Sequence, residues 1–246
     1  MNIDLTVVIP CYNEIENIPN LSAGLLPVIE ELQCERTVEV IFVDDGSTDD
    51  TYQALVDHFG HRSDISILRH ESNRGLGAAI RTGFAAARGE VIITTNSDAT
   101  YRVSEIPALL NHLGPGVDLV TASPYQRGGG VENVPAYRLI LSHGASFLYR
   151  LLVDWRIATY TSLFRAYRRK VIEEVPFDSD DYLANAEILV NAMYKGYRVA
   201  EYPAVLHIRV YGTSKARIIR TIKAHLRFLA KILLRRLRLI SPYSLI

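Results

Sequence analysis

Only two of the 246 residues are cysteine, Cys11 and Cys34, too few for a disulfide framework and in keeping with a reducing compartment. No apolar run approaches the ~18–20 residues that a membrane-crossing helix requires. No basic leader precedes the first strand-like run at about Leu5, so a secretory signal is not expected. Proline, glycine and serine never cluster into a linker, and no repeat or low-complexity stretch divides the chain; a single domain is expected. There is no P-loop, no metal-ligand spacing of histidines and no Ser-His-Asp order. The run Gly75-Leu76-Gly77 lacks the third glycine of a dinucleotide fingerprint and follows Asn73-Arg74 rather than a strand. Close helix packing or a backbone approach to a ligand accounts for it better. The seven histidines are scattered, and His58, His61 and His70 read as surface or turn residues. Cys11 has no histidine beside it to activate a thiolate and reads as a small buried filler.

Acidic residues are also missing from the last part of the chain. Lys plus Arg and Asp plus Glu number 27 each, yet no acid follows Glu201. Ten cations do: Arg209, Lys215, Arg217, Arg220, Lys223, Arg227, Lys231, Arg235, Arg236 and Arg238. The body is therefore acidic and the tail basic by ten charges each, which points the tail at an anionic surface or ligand. From about Ile218 the tail is also amphipathic. Ile222, Leu226, Leu229, Leu233, Leu237 and Ile240 follow i+3/i+4 steps, and Arg220, Lys223, Arg227, Lys231, Arg235 and Arg238 follow the same steps on the opposite face. Such a helix either packs on the domain with a solvated basic face or lies on anionic lipid, and the total lack of acids, not needed for solubility, favours lipid. Nucleic acid is disfavoured because only Phe228 interleaves the basic residues and the other face is continuously apolar. It is set apart as a segment at 215–246, following a domain at 1–214.

What the chain has is a set of β-branched runs that each end in polar residues. Val7-Val8-Ile9-Pro10 leads into Cys11-Tyr12-Asn13-Glu14, Val40-Ile41-Phe42-Val43 into Asp44-Asp45-Gly46-Ser47, and Val91-Ile92-Ile93-Thr94-Thr95 into Asn96-Ser97-Asp98. Strands are expected at 5–9, 38–43, 65–69, 90–95 and 117–122, alternating with helices at 15–33, 49–59, 76–88 and 104–113. That alternation predicts a doubly wound, mainly parallel sheet, whose ligands sit outside the carboxyl ends of the strands. Glu14, Asp44, Asp45 and Asp98 then converge on one crevice, where carboxylates suit a hard cation or the hydroxyls of a sugar or ribose. Beyond a glycine-rich mobile loop at Gln126–Gly130 the pattern predicts a helix at 136–152, a strand-like run at 162–167, a helix at 183–195, short strands at 198–202 and 205–210, and the terminal helix.

Taken together, Pro10-Cys11-Tyr12-Asn13-Glu14, Asp44-Asp45-Gly46-Ser47 and Asn73-Arg74-Gly75-Leu76-Gly77 resemble the inverting glycosyltransferase family 2 with its GT-A nucleotide-sugar-binding fold. More narrowly, the chain is similar to the polyprenyl-phosphate, dolichol-phosphate mannose synthase-like branch, from Val7 to about Lys215. The resemblance implies that Pro10, Tyr12 and Glu14 hold base and ribose, and that Asp44, with Asp45 beside it, contacts the base. It implies that Asn96-Ser97-Asp98 stands for the D-x-D motif that binds Mg²⁺ or Mn²⁺ across the diphosphate, with Thr100 as a further oxygen. Arg138 and Arg165 fall on the acceptor side, Glu187 on the acidic helix position, and Arg209, Ser214 and Lys215 on the R-x-x-G-x-S-K phosphate clamp.

Three departures stand out. Asn96 replaces the first aspartate of the metal motif, Ala122-Ser123-Pro124-Tyr125 replaces a G-S-R-Y segment, and Thr159 and Leu163 replace an aspartate and a glycine. The activity expected is transfer of a hexose from a nucleoside diphosphate sugar, of GDP-mannose or UDP-glucose type, to a polyprenyl phosphate. The protein would be cytoplasmic and peripheral at the inner membrane face. A soluble glycan acceptor, or a degenerate module that binds nucleotide or lipid phosphate without turnover, are the alternatives.

Overall fold

The computed structural model describes residues 3–208 and 218–237, the side chains of Arg138 and Ile218 excepted. Nine strands and eight α-helices are described. The strands are β1 (Ile3–Cys11), β2 (Val38–Asp44), β3 (Ile65–Arg69), β4 (Gly89–Thr94), β5 (Leu119–Ser123), β6 (Gly130–Glu132), β7 (Arg165–Arg168), β8 (Val199–Pro203) and β9 (Val205–His207). The helices are α1 (Ile18–Gln33), α2 (Thr51–Phe59), α3 (Leu76–Ala86), α4 (Ile106–Asn111), α5 (Ala136–Leu152), α6 (Arg169–Glu174), α7 (Leu183–Tyr194) and α8 (Ile218–Arg236).

Seven strands form one sheet in the order β3-β2-β1-β4-β7-β5-β8, and β6 and β9 pair separately. β1, β2, β3 and β4 run parallel, as do β5 and β8, while β7 is antiparallel to both β4 and β5. The central strands are covered on both faces, so they read as continuous apolar runs rather than as alternating ones. Along β1, Val7 and Ile9 join one core with α1, α2 and α4, and Val8 joins the other with α3, α6, α7 and α8. Phe42 against Phe59, with ring centroids 4.5 Å apart, ties β2 to α2 in the first core; burying a ring of this size contributes about 2–3 kcal/mol.

Three differences between sequence and structure bear on the site. The run at 162–167 makes a strand only from Arg165, and that strand is inserted antiparallel between β4 and β5. The glycine-rich loop is shorter than expected, because Gly130–Glu132 pairs with Val205–His207. The apolar face of α8 also lies elsewhere: His225, Phe228, Leu229 and Ile232 are buried, whereas Ile222, Leu226, Leu233 and Leu237 remain exposed. Helix α8 thus has three faces, one packed on the domain, one apolar and open, one basic.

Candidate active site

Strand β1 lies between β2 and β4, the point where the strand order reverses and a crevice opens at the carboxyl ends. The parallel register sets Cys11 opposite Asp44, and the Asp45 amide donates to the Cys11 carbonyl at 2.9 Å. On the other side the Thr95 amide donates to the Val8 carbonyl at 3.1 Å, which brings Asn96–Asp98 alongside. Two non-glycine residues here take left-handed backbone conformations, Asn13 (φ 53°) and Ala99 (φ 56°); such strain concentrates at functional sites.

The crevice deepens into a cavity of about 780 Å³. One end is polar, with Tyr12, Glu14, Asp45, Asn96 and Asp98 in its wall; the other is closed by apolar side chains of α5 and α8. Pro10 and Ser97 line it as well. Glu14 is buried and fixed by the Asn17 amide, which donates to Oε2 at 2.5 Å. Cys11 also reaches the wall, and burial pushes its thiol up, away from a thiolate.

Asp44 is placed differently from expectation. It is wholly buried below the cavity wall, where its Oδ1 accepts from the amide and hydroxyl of Ser47. Its Oδ2 lies 3.2 Å from Arg69 Nε, and Arg69 in turn covers the Tyr52 ring. Asp45 is the aspartate of the pair that reaches the cavity. It accepts from the backbone amides of Arg74 (2.9 Å) and Gly75 (2.8 Å), from Asn73 Nδ2 (2.9 Å) and from His70 Nδ1 (2.7 Å). His70 is therefore a buried bridge from Asp45 to the Thr82 hydroxyl at 2.9 Å, not a surface residue. Gly75 (φ 102°) and Gly77 are explained by packing: a side chain at either would meet the backbone of Ser179 or Asp180, and the Gly77 amide donates to the Asp180 carbonyl.

At the metal motif, Asp98 Oδ1 accepts from the Thr100 amide (3.1 Å) and hydroxyl (2.7 Å). Thr100 thus orients Asp98, and it lines the cavity as well. The Asn96 Oδ1 atom is buried and has no hydrogen-bond partner in the structure, which suits a carbonyl oxygen kept for a cation. Among the described residues there is no group of three or more His, Cys, Asp or Glu that would hold a metal alone. Asn96 and Asp98 fit a hard cation that takes its remaining oxygens from a diphosphate and water.

Arg165 is not an acceptor-side cation. It is completely buried in β7 and absent from the cavity wall, donating through Nε to Thr121 Oγ1 (3.1 Å), through Nη2 to the Tyr160 carbonyl (2.8 Å) and through Nη1 to the Asn185 carbonyl. Glu187 also stands behind the wall, where its Oε2 accepts from the Ser179 amide at 2.9 Å. Both are frame residues. Arg138 lies in α5, its side chain outside the described residues, as are Arg209, Ser214 and Lys215. Sequence reasoning passed over Ser142, Asn185 and His225, which all line the cavity; polar residues inside helices carry no motif by which to find them.

The sequence pattern of glycosyl transferase family 2 matches residues 6–176, which carry β1, β2, β4 and the Asn96–Asp98 turn. The chain belongs to that family. Within it, the chain resembles the polyprenyl-phosphate mannose synthase-like branch. It is 35% identical over 217 residues to the polyprenol monophosphomannose synthase of Mycolicibacterium smegmatis, covering 85% of this chain and 79% of that protein. It is 31% identical over 213 residues to the dolichol-phosphate mannosyltransferase of Pyrococcus furiosus, covering 86% of this chain but only 58% of that enzyme's length. Among solved structures, glucosyl-3-phosphoglycerate synthase of Mycobacterium tuberculosis, in complex with Mn²⁺, UDP and glucosyl-3-phosphoglycerate, superimposes with a TM-score of 0.69 at 22% identity, over 95% of this chain and 80% of that one. The GT-A fold is shared throughout.

Proposed function

We propose that this family 2 chain transfers a hexose, with inversion, from a nucleoside diphosphate sugar to the phosphate of a polyprenyl phosphate at the cytosolic face of a membrane. The observation that carries the reading is the construction of the cavity, polar at the strand ends and apolar where α5 and α8 meet. Leu141, Ala145 and Leu148 of α5 and Ile222, Leu226 and Leu229 of α8 all line it. Around this wall Tyr137, Ile140, Phe147, Leu151 and Trp155 from the α5 side, and Ile219, Leu233 and Leu237 from the α8 side, are exposed. An apolar surface of this extent marks an interaction site. Basic residues of α8 flank it, and anionic lipid attracts such a helix by about 1 kcal/mol per Lys or Arg near the surface. No described helix is long and apolar enough to cross a membrane.

The chemistry follows from the residues present. Tyr12, Glu14 and Asp45 would hold the nucleoside, and Asp98 with Asn96 would hold Mg²⁺ or Mn²⁺ at the diphosphate. Such a cation neutralises charge on the leaving nucleoside diphosphate. A phosphate monoester has its second pKa near ~6 and is largely ionised at neutral pH. Its oxygen attacks the anomeric carbon from the face opposite the diphosphate; the new C–O bond forms as the bond to the leaving group breaks. Positioning matters more here than a strong base.

The test is a transfer assay with a polyprenyl phosphate, Mn²⁺ or Mg²⁺, and labelled GDP-mannose or UDP-glucose. Lipid-extractable label, lost in Asp98→Ala, is the expected result. Transfer to a water-soluble acceptor alone, or nucleotide binding with no product from any acceptor, would overturn the lipid reading.

A further inference from the structure

His225 sits in the α8 wall of the cavity and is only 9% exposed. Its Nδ1 lies 2.8 Å from the hydroxyl oxygen of Tyr149 in α5, and the two rings meet edge to face with centroids 5.8 Å apart. Tyr149 is itself fully buried and stacked on Tyr160 at 5.1 Å. Burial pushes the Tyr149 hydroxyl up, with the charge of Glu187 adding to the effect, so the phenol keeps its proton. Burial holds His225 down to about 4, opposed by the charge of Asp181, so the ring is neutral at physiological pH. The phenolic O–H therefore donates to Nδ1, and a neutral imidazole accepting there carries its own proton on Nε2.

The surroundings give that N–H a purpose. Among the described residues, no Lys or Arg lines the cavity. On α8 the wall carries Thr221, one turn before His225, with Ile222, Leu226 and Leu229, so the imidazole and the Thr221 hydroxyl are the polar groups this helix gives to an otherwise apolar stretch of lining. An apolar chain lying between α5 and α8 would bring its headgroup to them.

We propose that the Nε2–H of His225, oriented by Tyr149, is a hydrogen-bond donor to the phosphate monoester of the acceptor and positions it in the cavity. The inference rests on the acceptor being a phosphate monoester, as in the function proposed above. It makes α8 a part of the acceptor site as well as a surface helix.

The experiment is histidine-ring NMR on the full chain labelled with [¹⁵N]histidine, the His225 signals being assigned by their loss in His225→Gln. Probes are farnesyl phosphate, glycerol 3-phosphate and farnesol, each added to protein containing Mn²⁺-free nucleoside diphosphate. The expected spectrum shows His225 protonated on Nε2, with that resonance shifting on farnesyl phosphate and not on farnesol. His225→Phe, which fills the space without a donor, is expected to weaken farnesyl phosphate binding about tenfold, as loss of one such bond does. Binding of the nucleoside diphosphate should not change. His225→Gln, which keeps an N–H donor, is expected to retain binding within about threefold, and Tyr149→Phe to weaken it about threefold by freeing the tautomer.

A response to glycerol 3-phosphate with none to farnesyl phosphate would keep the His225 donor and sink the lipid acceptor. A proton on Nδ1, a resonance that neither phosphate moves, or unchanged farnesyl phosphate affinity in His225→Phe would overturn the inference itself.

Discussion

Asp45 holds Gly75 by its backbone: the glycine amide donates to Asp45 Oδ2 at 2.8 Å across 30 residues of sequence. The same carboxylate takes the Arg74 amide and the Asn73 side chain. The end of β2 and the turn into α3 are therefore one unit, and two of the three motifs that marked the family in the sequence are two halves of one clamp.

Asp45→Ala leaves the Arg74 and Gly75 amides without their acceptor in a partly buried turn. Stability is expected to fall by about 2–4 kcal/mol, measured by urea unfolding, and nucleoside diphosphate affinity to fall with it. Asp45→Asn keeps one acceptor oxygen and should lose roughly half as much. Equal stability in all three proteins would show that the turn holds itself.

Arg165→Met removes a buried guanidinium and leaves the carbonyls of Tyr160 and Asn185 unmatched. Burial already pulls the Arg165 pKa down. The substitution is expected to cost about 2–4 kcal/mol in unfolding free energy, with acceptor KM little changed in the protein that remains folded. A selective rise in acceptor KM with native stability would restore Arg165 to the acceptor site.

Asn96→Asp places a carboxylate where the amide oxygen now lies unpartnered. Mn²⁺ should bind about tenfold more tightly in the presence of nucleoside diphosphate, since charge count sets hard-cation affinity. Asp98→Asn should weaken it by a similar factor. Electron paramagnetic resonance of free Mn²⁺ measures both, and no change in either would remove the cation from this turn.

Binding to anionic vesicles tests the α5–α8 surface. Ile140→Glu and Leu226→Glu, at positions 70% and 54% exposed, should leave the fold intact while reducing sedimentation with phosphatidylserine vesicles several-fold. Raised salt should weaken the wild-type protein too, through the basic face. Vesicle binding that neither substitution nor salt alters would rule out this surface.

Acid should loosen the anchorage of α8. The His225 pKa is held down to about 4 from an ordinary 6.5, so the unfolded chain takes up the proton first as pH falls. The stability that His225 contributes is complete above about 6.5 and is lost progressively towards pH 4, by about 3 kcal/mol at most. His225→Phe should flatten the unfolding free energy over that window, measured by urea titration at stepped pH. An unaltered slope would mean that other groups govern it.

Much of the fold was legible because parallel strands buried on both faces write themselves as β-branched runs. The strand ends named Pro10, Tyr12, Glu14, Asp45, Asn96, Ser97 and Asp98, and the structure places all of these in the cavity wall. Asp44 was misplaced since neighbours on an extended chain point to opposite sides, and sequence alone does not say which side faces the ligand. Arg165 and Glu187 were assigned by resemblance to the site; their partners Tyr160, Asn185 and Ser179 are backbone groups, which leave no trace in a pattern of side chains. β7 was hidden for another reason: an antiparallel strand inserted between β4 and β5 is fixed by pairing distant in sequence.

The sequence by itself determined the alternation of strands and helices, the polar turn after each strand, and a basic amphipathic segment free of acids. These are local properties, set by side-chain period and composition. Only the tertiary structure decided which face of α8 is buried, since its helical period allows several and packing against α5 and α7 selects one. It also decided that His225 meets Tyr149, 76 residues away. Contacts of that kind depend on how layers stack around the sheet, and no short stretch of chain encodes them.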